Sequence, residues 1–178
     1  MAANGDRELR RAAVLALGSI GDYESNALLG QALADEDRTV RMLAENGIRN
    51  LWRRAGSEAY RQQLAIVIRL NNGRQYHEAV PRATELIELS PGVAEGWNQR
   101  AIAYYSTGRY TEAIRDCQQS LEINPYHFDA AAGMGQCYLQ AGDESAALEC
   151  LRRALRLNPG LEGVRAGVEY LERSLRRQ

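Results

Sequence analysis

Three prolines stand 34 residues apart, at Pro91, Pro125 and Pro159, and few architectures tolerate a period of that length. The same offset relates Ala79, Ala113 and Ala147, then Val80, Ile114 and Leu148, then Ile87, Leu121 and Leu155, then Leu89, Ile123 and Leu157. Tyr76 recurs as Tyr110, Tyr104 as Tyr138, Gly108 as Gly142, and Asn124-Pro125 as Asn158-Pro159. Within a unit the apolar positions step by three and four, as at Ile114, Cys117 and Leu121, and strand-like alternation is absent. Each unit therefore reads as two helices, the first stopped near a glycine that can take φ > 0 and the second before a proline that cannot extend it. The spacing predicts helices over about 57–72, 75–89, 94–107, 110–123, 128–141 and 144–157, then a capping helix over 161–176 with Val164, Val168 and Leu171 on one side. Pro81 falls inside the second of these helices and predicts a kink or a late start there.

Before Gly56 the 34-residue register fails, yet three amphipathic segments remain at about 7–20, 23–34 and 38–55. Leu9, Ala12, Ala13, Ala16, Leu17 and Ile20 make one apolar stripe, and Val40, Leu43, Ala44, Gly47 and Leu51 another. The sequence thus predicts an all-α chain in two parts. Residues 6–56 form a helical segment, and 57–178 form three units (57–91, 92–125, 126–159) with the capping helix.

The repeated units resemble tetratricopeptide repeats over residues 60–159. The middle unit carries Trp97, Arg100, Ala101, Tyr104, Ala113, Cys117 and Pro125 at the places of that family's pattern. The last carries Ala131, Met134, Gly135, Tyr138, Ala147, Leu151 and Pro159, whereas the first, with Gln63, Ile66, Val67 and Leu70, departs from it in its leading helix. The resemblance implies a right-handed helical solenoid in which small residues let helices approach and aromatic residues fill the space between units. Upstream, Leu17-Gly18-Ser19-Ile20-Gly21-Asp22 followed by Leu33-Ala34-Asp35-Glu36-Asp37 and Val40-Arg41 resembles bacterial HEAT-like repeats related to phycobilisome lyases. That resemblance implies a turn at Gly21-Asp22, a cap at Asp35 or Asp37, and Arg41 on the first turns of the next helix. Only about one and a half such repeats are present, and roughly three are needed for independent stability. Two expectations follow: either the chain is a segment of a longer protein, or the HEAT-like helices cap the other repeats directly.

Composition excludes several functional classes. The 22 basic residues, all arginine, face 23 acidic ones, for a net charge of −1, and each part is balanced, which argues against a nucleic-acid binder. The arginine pairs at 10–11, 53–54, 152–153 and 176–177 are diluted by Glu8, Glu149 and Glu172 and read as solvated faces. No uncharged stretch reaches the ~18 residues a membrane span needs, and Met1 to Asp6 has no apolar signal core, so a soluble, cytoplasmic protein without a membrane role is expected. Three cysteines without a CxxC pair suit a reducing compartment.

The inventory for catalysis is thin. Cys117 and Cys137 fall at core positions, and no cysteine spacing matches a zinc pattern. His77 and His127 lie near helix starts, where solvation or capping is expected. Gly133-Met134-Gly135 imitates part of a phosphate loop but has no preceding strand. No enzyme activity, metal or cofactor is expected.

The resemblance instead implies a protein-interaction module whose concave groove is lined by the first helix of each pair. Its lining would be Arg61, Ala65, Ile68 and Asn72, then Glu95, Asn98, Gln99, Ile102 and Tyr105, then Asp129, Ala132, Gly133, Gln136 and Gln140. Asn and Gln both donate and accept, which suits the backbone of an extended peptide, while Ile102 and Tyr105 can hold an apolar side chain. The expected binding residues are Arg61, Asn72, Asn98, Gln99, Ile102, Tyr105, Gln136 and Gln140. Chaperone-binding members of that family grip a terminal carboxylate with a clamp of Lys, Arg and Asn. The corresponding places here hold Leu64, Ile68, Gln99, Asp129 and Gly133, so an acidic C-terminal chaperone tail is not an expected partner. Two other readings stay open: a self-assembling solenoid that forms homo-oligomers, and an accessory to a pigment-lyase-like enzyme.

Overall fold

The computed structural model describes residues 2–176, with side chains from Asp6 onward, so Arg177 of the last arginine pair lies outside the described residues. All regular structure among them is helical: α1 (Ala2–Ile20), α2 (Ser25–Ala32), α3 (Arg38–Arg54), α4 (Glu58–Asn72), α5 (Tyr76–Leu89), α6 (Ala94–Ser106), α7 (Tyr110–Ile123), α8 (Phe128–Gln140), α9 (Glu144–Leu157) and α10 (Glu162–Leu175). The repeat helices end within a residue or two of the places the period assigns. Helix α1 begins earlier than its stripe indicated. Helix α5 starts at Tyr76, so Pro81 causes no late start. Pro81 lies on the exposed side, where the His77 carbonyl that loses its donor can face water.

The turn inside each repeat is one motif used three times. Arg74, Gly108 and Gly142 take φ values of 57°, 76° and 84°. Their amides donate to Asn71, Tyr105 and Leu139, and the next amides donate five residues back, to Leu70, Tyr104 and Tyr138. This is the Schellman closure, which needs a left-handed residue after the helix. The first repeat places an arginine where the others place glycine.

Packing within the array follows the expected pairs α4–α5, α6–α7 and α8–α9, and α10 covers α9 through Val168 and Leu171 against Leu148 and Leu151. Within the middle repeat, Arg100 of α6 reaches Asp116 of α7 with two hydrogen bonds of 2.7 and 2.9 Å and lies over the rings of Trp97 and Tyr104, while a third bond of 3.0 Å reaches Thr84 of the preceding repeat. A bidentate pair sheltered between aromatic faces fixes orientation as well as contributing energy.

In the N-terminal segment, α1 crosses α3 at Gly18 and Gly47, so closely that a Cβ on Gly18 would sit 2.6 Å from the Gly47 Cα. Asp37 caps α3 by accepting from the Val40 amide, and Arg11 grips the same carboxylate. Asp35 pairs with Arg10, while Arg41 donates to the Asp35 and Glu36 carbonyls. Of the two capping candidates, Asp37 is therefore the cap. The outer face of α1 stays uncovered, with Leu9 71% and Ile20 87% exposed.

The N-terminal helices do not continue the stack end to end. They fold back, and one core joins Val14, Leu29, Leu33, Val40, Ala44, Ile48, Leu51 and Trp52 to Phe128, Leu157 and Leu161 of the last repeat and its turn into α10. Tyr23 donates to the Ile123 carbonyl at 2.8 Å, and Arg49 reaches Asp129 with bonds of 2.8 and 2.9 Å.

Candidate functional site

Helices α4, α6 and α8 present their inner faces to one cavity of about 490 Å³, and α3 walls one end of it. Positions separated by three and four residues share a helix face, so the repeat register places Ile68 and Asn72, then Asn98, Ile102 and Tyr105, then Asp129, Ala132, Gly133 and Gln136 side by side. Six of the eight expected binding residues line it: Asn72, Asn98, Gln99, Ile102, Tyr105 and Gln136. Arg61 and Gln140 do not. The Arg61 guanidinium turns to the α3–α4 joint, where it donates to the Arg54 and Gly56 carbonyls and to Glu58. Gln140 is exposed at the end of α8, beyond the lining.

Several lining groups are already occupied. The Gln99 amide donates to Glu95 at 2.8 Å, and its carbonyl oxygen accepts from Asn71 at 2.9 Å. Glu95, only 5% exposed, accepts at its other oxygen from His127 Nε2 at 3.0 Å. His127 Nδ1 accepts from the Ala130 amide, which places the ring proton on Nε2. His127 therefore caps α8, but it is fully buried rather than solvated, because Trp52 stacks on it at 4.0 Å. The Trp52 indole N–H is taken by Asn26 at 2.7 Å. A continuous buried network thus runs from α2 through α3 and α8 to α6 and α4. Burial and then the Glu95 charge push the Tyr60 phenol well above its ordinary range, so it stays neutral beside this network. Hydrogen bonding to Asp129 raises the Arg49 guanidinium further, so Arg49 stays charged at neutral pH.

Other lining groups are unspent. Asn98 is 6% exposed, yet its carboxamide makes no hydrogen bond with another described residue. Asn72, Gln136 and Arg53 likewise have no partner among the described residues, and Tyr76, Tyr105, Ile68 and Ile102 supply apolar surface beside them. Cys117 and Cys137 reach the cavity floor, and contact with the Cys137 thiol together with burial raises the Cys117 thiol. Sequence reasoning missed Arg49, Trp52, Arg53, Asn71 and Tyr76 as lining. Among the described residues, no group of three or more His, Cys, Asp or Glu side chains is placed to hold a metal ion, and no helix is long and apolar enough to cross a membrane.

Comparison with known proteins bears on both parts. The tetratricopeptide repeat family matches residues 92–159, and the HEAT repeats family matches residues 1–65. A TPR repeat-containing protein of Rhizobium etli is 26% identical over 148 residues, which is 83% of this chain and 72% of that protein. The Hsp70-Hsp90 organizing protein of wheat, Triticum aestivum, is 28% identical over 94 residues, or 53% of this chain, which spans only 16% of that protein's length. Among solved structures, the TPR2B domain of yeast Sti1 in its complex with pHsp70 superposes with a TM-score of 0.62 at 22% identity, covering 66% of this chain and 99% of that one. Neither matched family is an enzyme family. The chain is an all-helical array in which residues 1–65 match HEAT repeats and residues 92–159 match tetratricopeptide repeats.

Proposed function

We propose that the protein is a non-catalytic interaction module that holds an extended segment of another protein in the cavity between α3, α4, α6 and α8. The observation that carries this reading is Asn98: the residue is only 6% exposed, it opens on the cavity, and its carboxamide has no partner among the described residues, so both its donor and its acceptor are available to a ligand. Asn72 and Gln136 extend the same donor and acceptor row, and Tyr105 and Ile102 offer a seat for an apolar side chain. A rigid stack has already lost its ordering entropy, so modest contacts spread over three helices can retain a partner. The complex of a structural neighbour, the TPR2B domain of yeast Sti1 with pHsp70, supports the general mode of binding another protein. The clamp positions Leu64, Ile68, Gln99, Asp129 and Gly133 carry no cation, so an acidic C-terminal chaperone tail is not the ligand. Three free, buried cysteines suit a cytoplasmic site of action.

The test is affinity capture with wild type and with Asn98→Ala, Tyr105→Ala, Gln136→Ala combined, after circular dichroism shows that both fold. A partner retained by wild type alone supports the reading, and equal capture by both refutes it. The exposed α1 face, with Leu9, Ala12, Ala13, Ala16 and Ile20 uncovered, favours one second reading, self-association into a homo-oligomer. Light scattering across a concentration series separates the two, since a monomeric receptor keeps a constant mass.

A further inference from the structure

We infer that the HEAT segment supplies the specificity of the groove: Arg53 selects a partner peptide with an internal acidic side chain beside the residue seated on Ile102 and Tyr105. This deepens the interaction-module reading and rests on it. Residues 49, 52 and 53 share one face of α3, and that face forms the end wall of the cavity. Trp52 is fixed by His127, Phe128 and Asn26, and Arg49 is consumed by Asp129 and Glu45. Arg53 alone of the three is exposed and keeps its donors unspent.

The other charges of the lining offer a ligand little. Asp129 is held by Arg49, and Glu95 is sealed with both oxygens accepting from Gln99 and His127. A peptide in the cavity therefore meets one available charge, the planar guanidinium of Arg53, whose fork matches a carboxylate. Asn98 is the complementary anchor. Its cavity-facing amide pairs with peptide backbone, carries no preference for side-chain charge, and sets the depth at which the acidic side chain faces α3.

The probe is a positional-scanning set of extended nonapeptides, acetylated and amidated so that no terminal carboxylate is present, with Asp, Glu, Lys, Arg or Ala at each position. Full-length wild type, Arg53→Gln, Arg53→Glu and Asn98→Ala are compared, with circular dichroism as the folding control. Wild type is expected to favour Asp or Glu over Ala at one position by about fivefold, the upper end of an exposed ion pair. Arg53→Gln abolishes that preference, Arg53→Glu turns it toward Lys or Arg, and Asn98→Ala weakens every peptide alike. An acidic preference that survives in Arg53→Glu, or retained peptides with no charge preference, overturns the role of Arg53 and leaves the groove reading standing. Retention of no peptide by wild type, or undiminished retention by Asn98→Ala, overturns the groove reading itself.

Discussion

Replacing Arg74 with glycine should stabilise the protein. Arg74 closes the α4 turn at φ 57°, with its amide on the Asn71 carbonyl and the Gln75 amide on the Leu70 carbonyl. Gly108 and Gly142 close the equivalent turns with the same two bonds at φ 76° and 84°. A left-handed conformation costs a residue with a Cβ about 1–2 kcal/mol, and glycine escapes that cost. The gain is offset by about 0.5–1 kcal/mol, because glycine has more backbone freedom to lose on folding. The Arg74 side chain is exposed and forms no hydrogen bond, so its removal subtracts nothing else. The net expectation is about 0.5–1 kcal/mol of added stability, or about 1–4 °C in Tm for a chain of this size. Urea unfolding followed by circular dichroism measures it. Gly108→Ala and Gly142→Ala in parallel should lose about 0.5–1 kcal/mol each by the same balance. If Arg74→Gly lowers the urea midpoint while those two variants behave as expected, the account of the first turn is wrong.

The junction between the two repeat types gives further tests. A double-mutant cycle on Arg49→Ala and Asp129→Ala should return a coupling of about 1 kcal/mol, since both side chains remain roughly a third exposed; a coupling near zero would mean the pair does not hold α3 against α8. Residues 57–178 produced alone should melt below the whole chain, because Phe128, His127 and Leu161 lose the cover of Trp52 and Leu51; an unchanged melting temperature refutes the shared core. The Arg11 hydrogen bond, then the Val40 amide, hold the Asp37 carboxyl down to about 2, below its ordinary value of 3.8. Its contribution is thus complete above the ordinary value and is lost as pH falls through the lowered one. The stability gap between wild type and Asp37→Asn, read as urea midpoints from about pH 5 to pH 2, should shrink on acidification, and a gap that widens reverses the sign of the argument.

The helices of the array were legible because their signal is periodic: Pro91, Pro125 and Pro159, with Gly108 and Gly142, mark where helices stop whatever they pack against. The inner faces of α6 and α8 were legible for the same reason, since Asn98, Ile102, Tyr105 and Gln136 follow from register alone. Arg61 was misplaced where the register is weakest, at the start of the first repeat, and there its guanidinium serves the α3–α4 joint. Arg49, Trp52 and Arg53 left no local signal of their role. Their placement depends on how two surfaces about 75 residues apart in the chain fit together, and no spacing encodes that. His127 shows the same limit. Its position predicted a cap, but its burial depends on a tryptophan from α3.

An ordinary solenoid is open at both ends and unravels from them, unit by unit. Here Tyr23 is bonded across 100 residues and Arg49 across 80, so the chain between α3 and α8 is a closed ring latched by Trp52 on His127. Closing such a ring carries a loop entropy that nearest-neighbour stacking never meets, so the latch forms late in folding and the ends cannot fray independently. The cavity is the lumen of that ring.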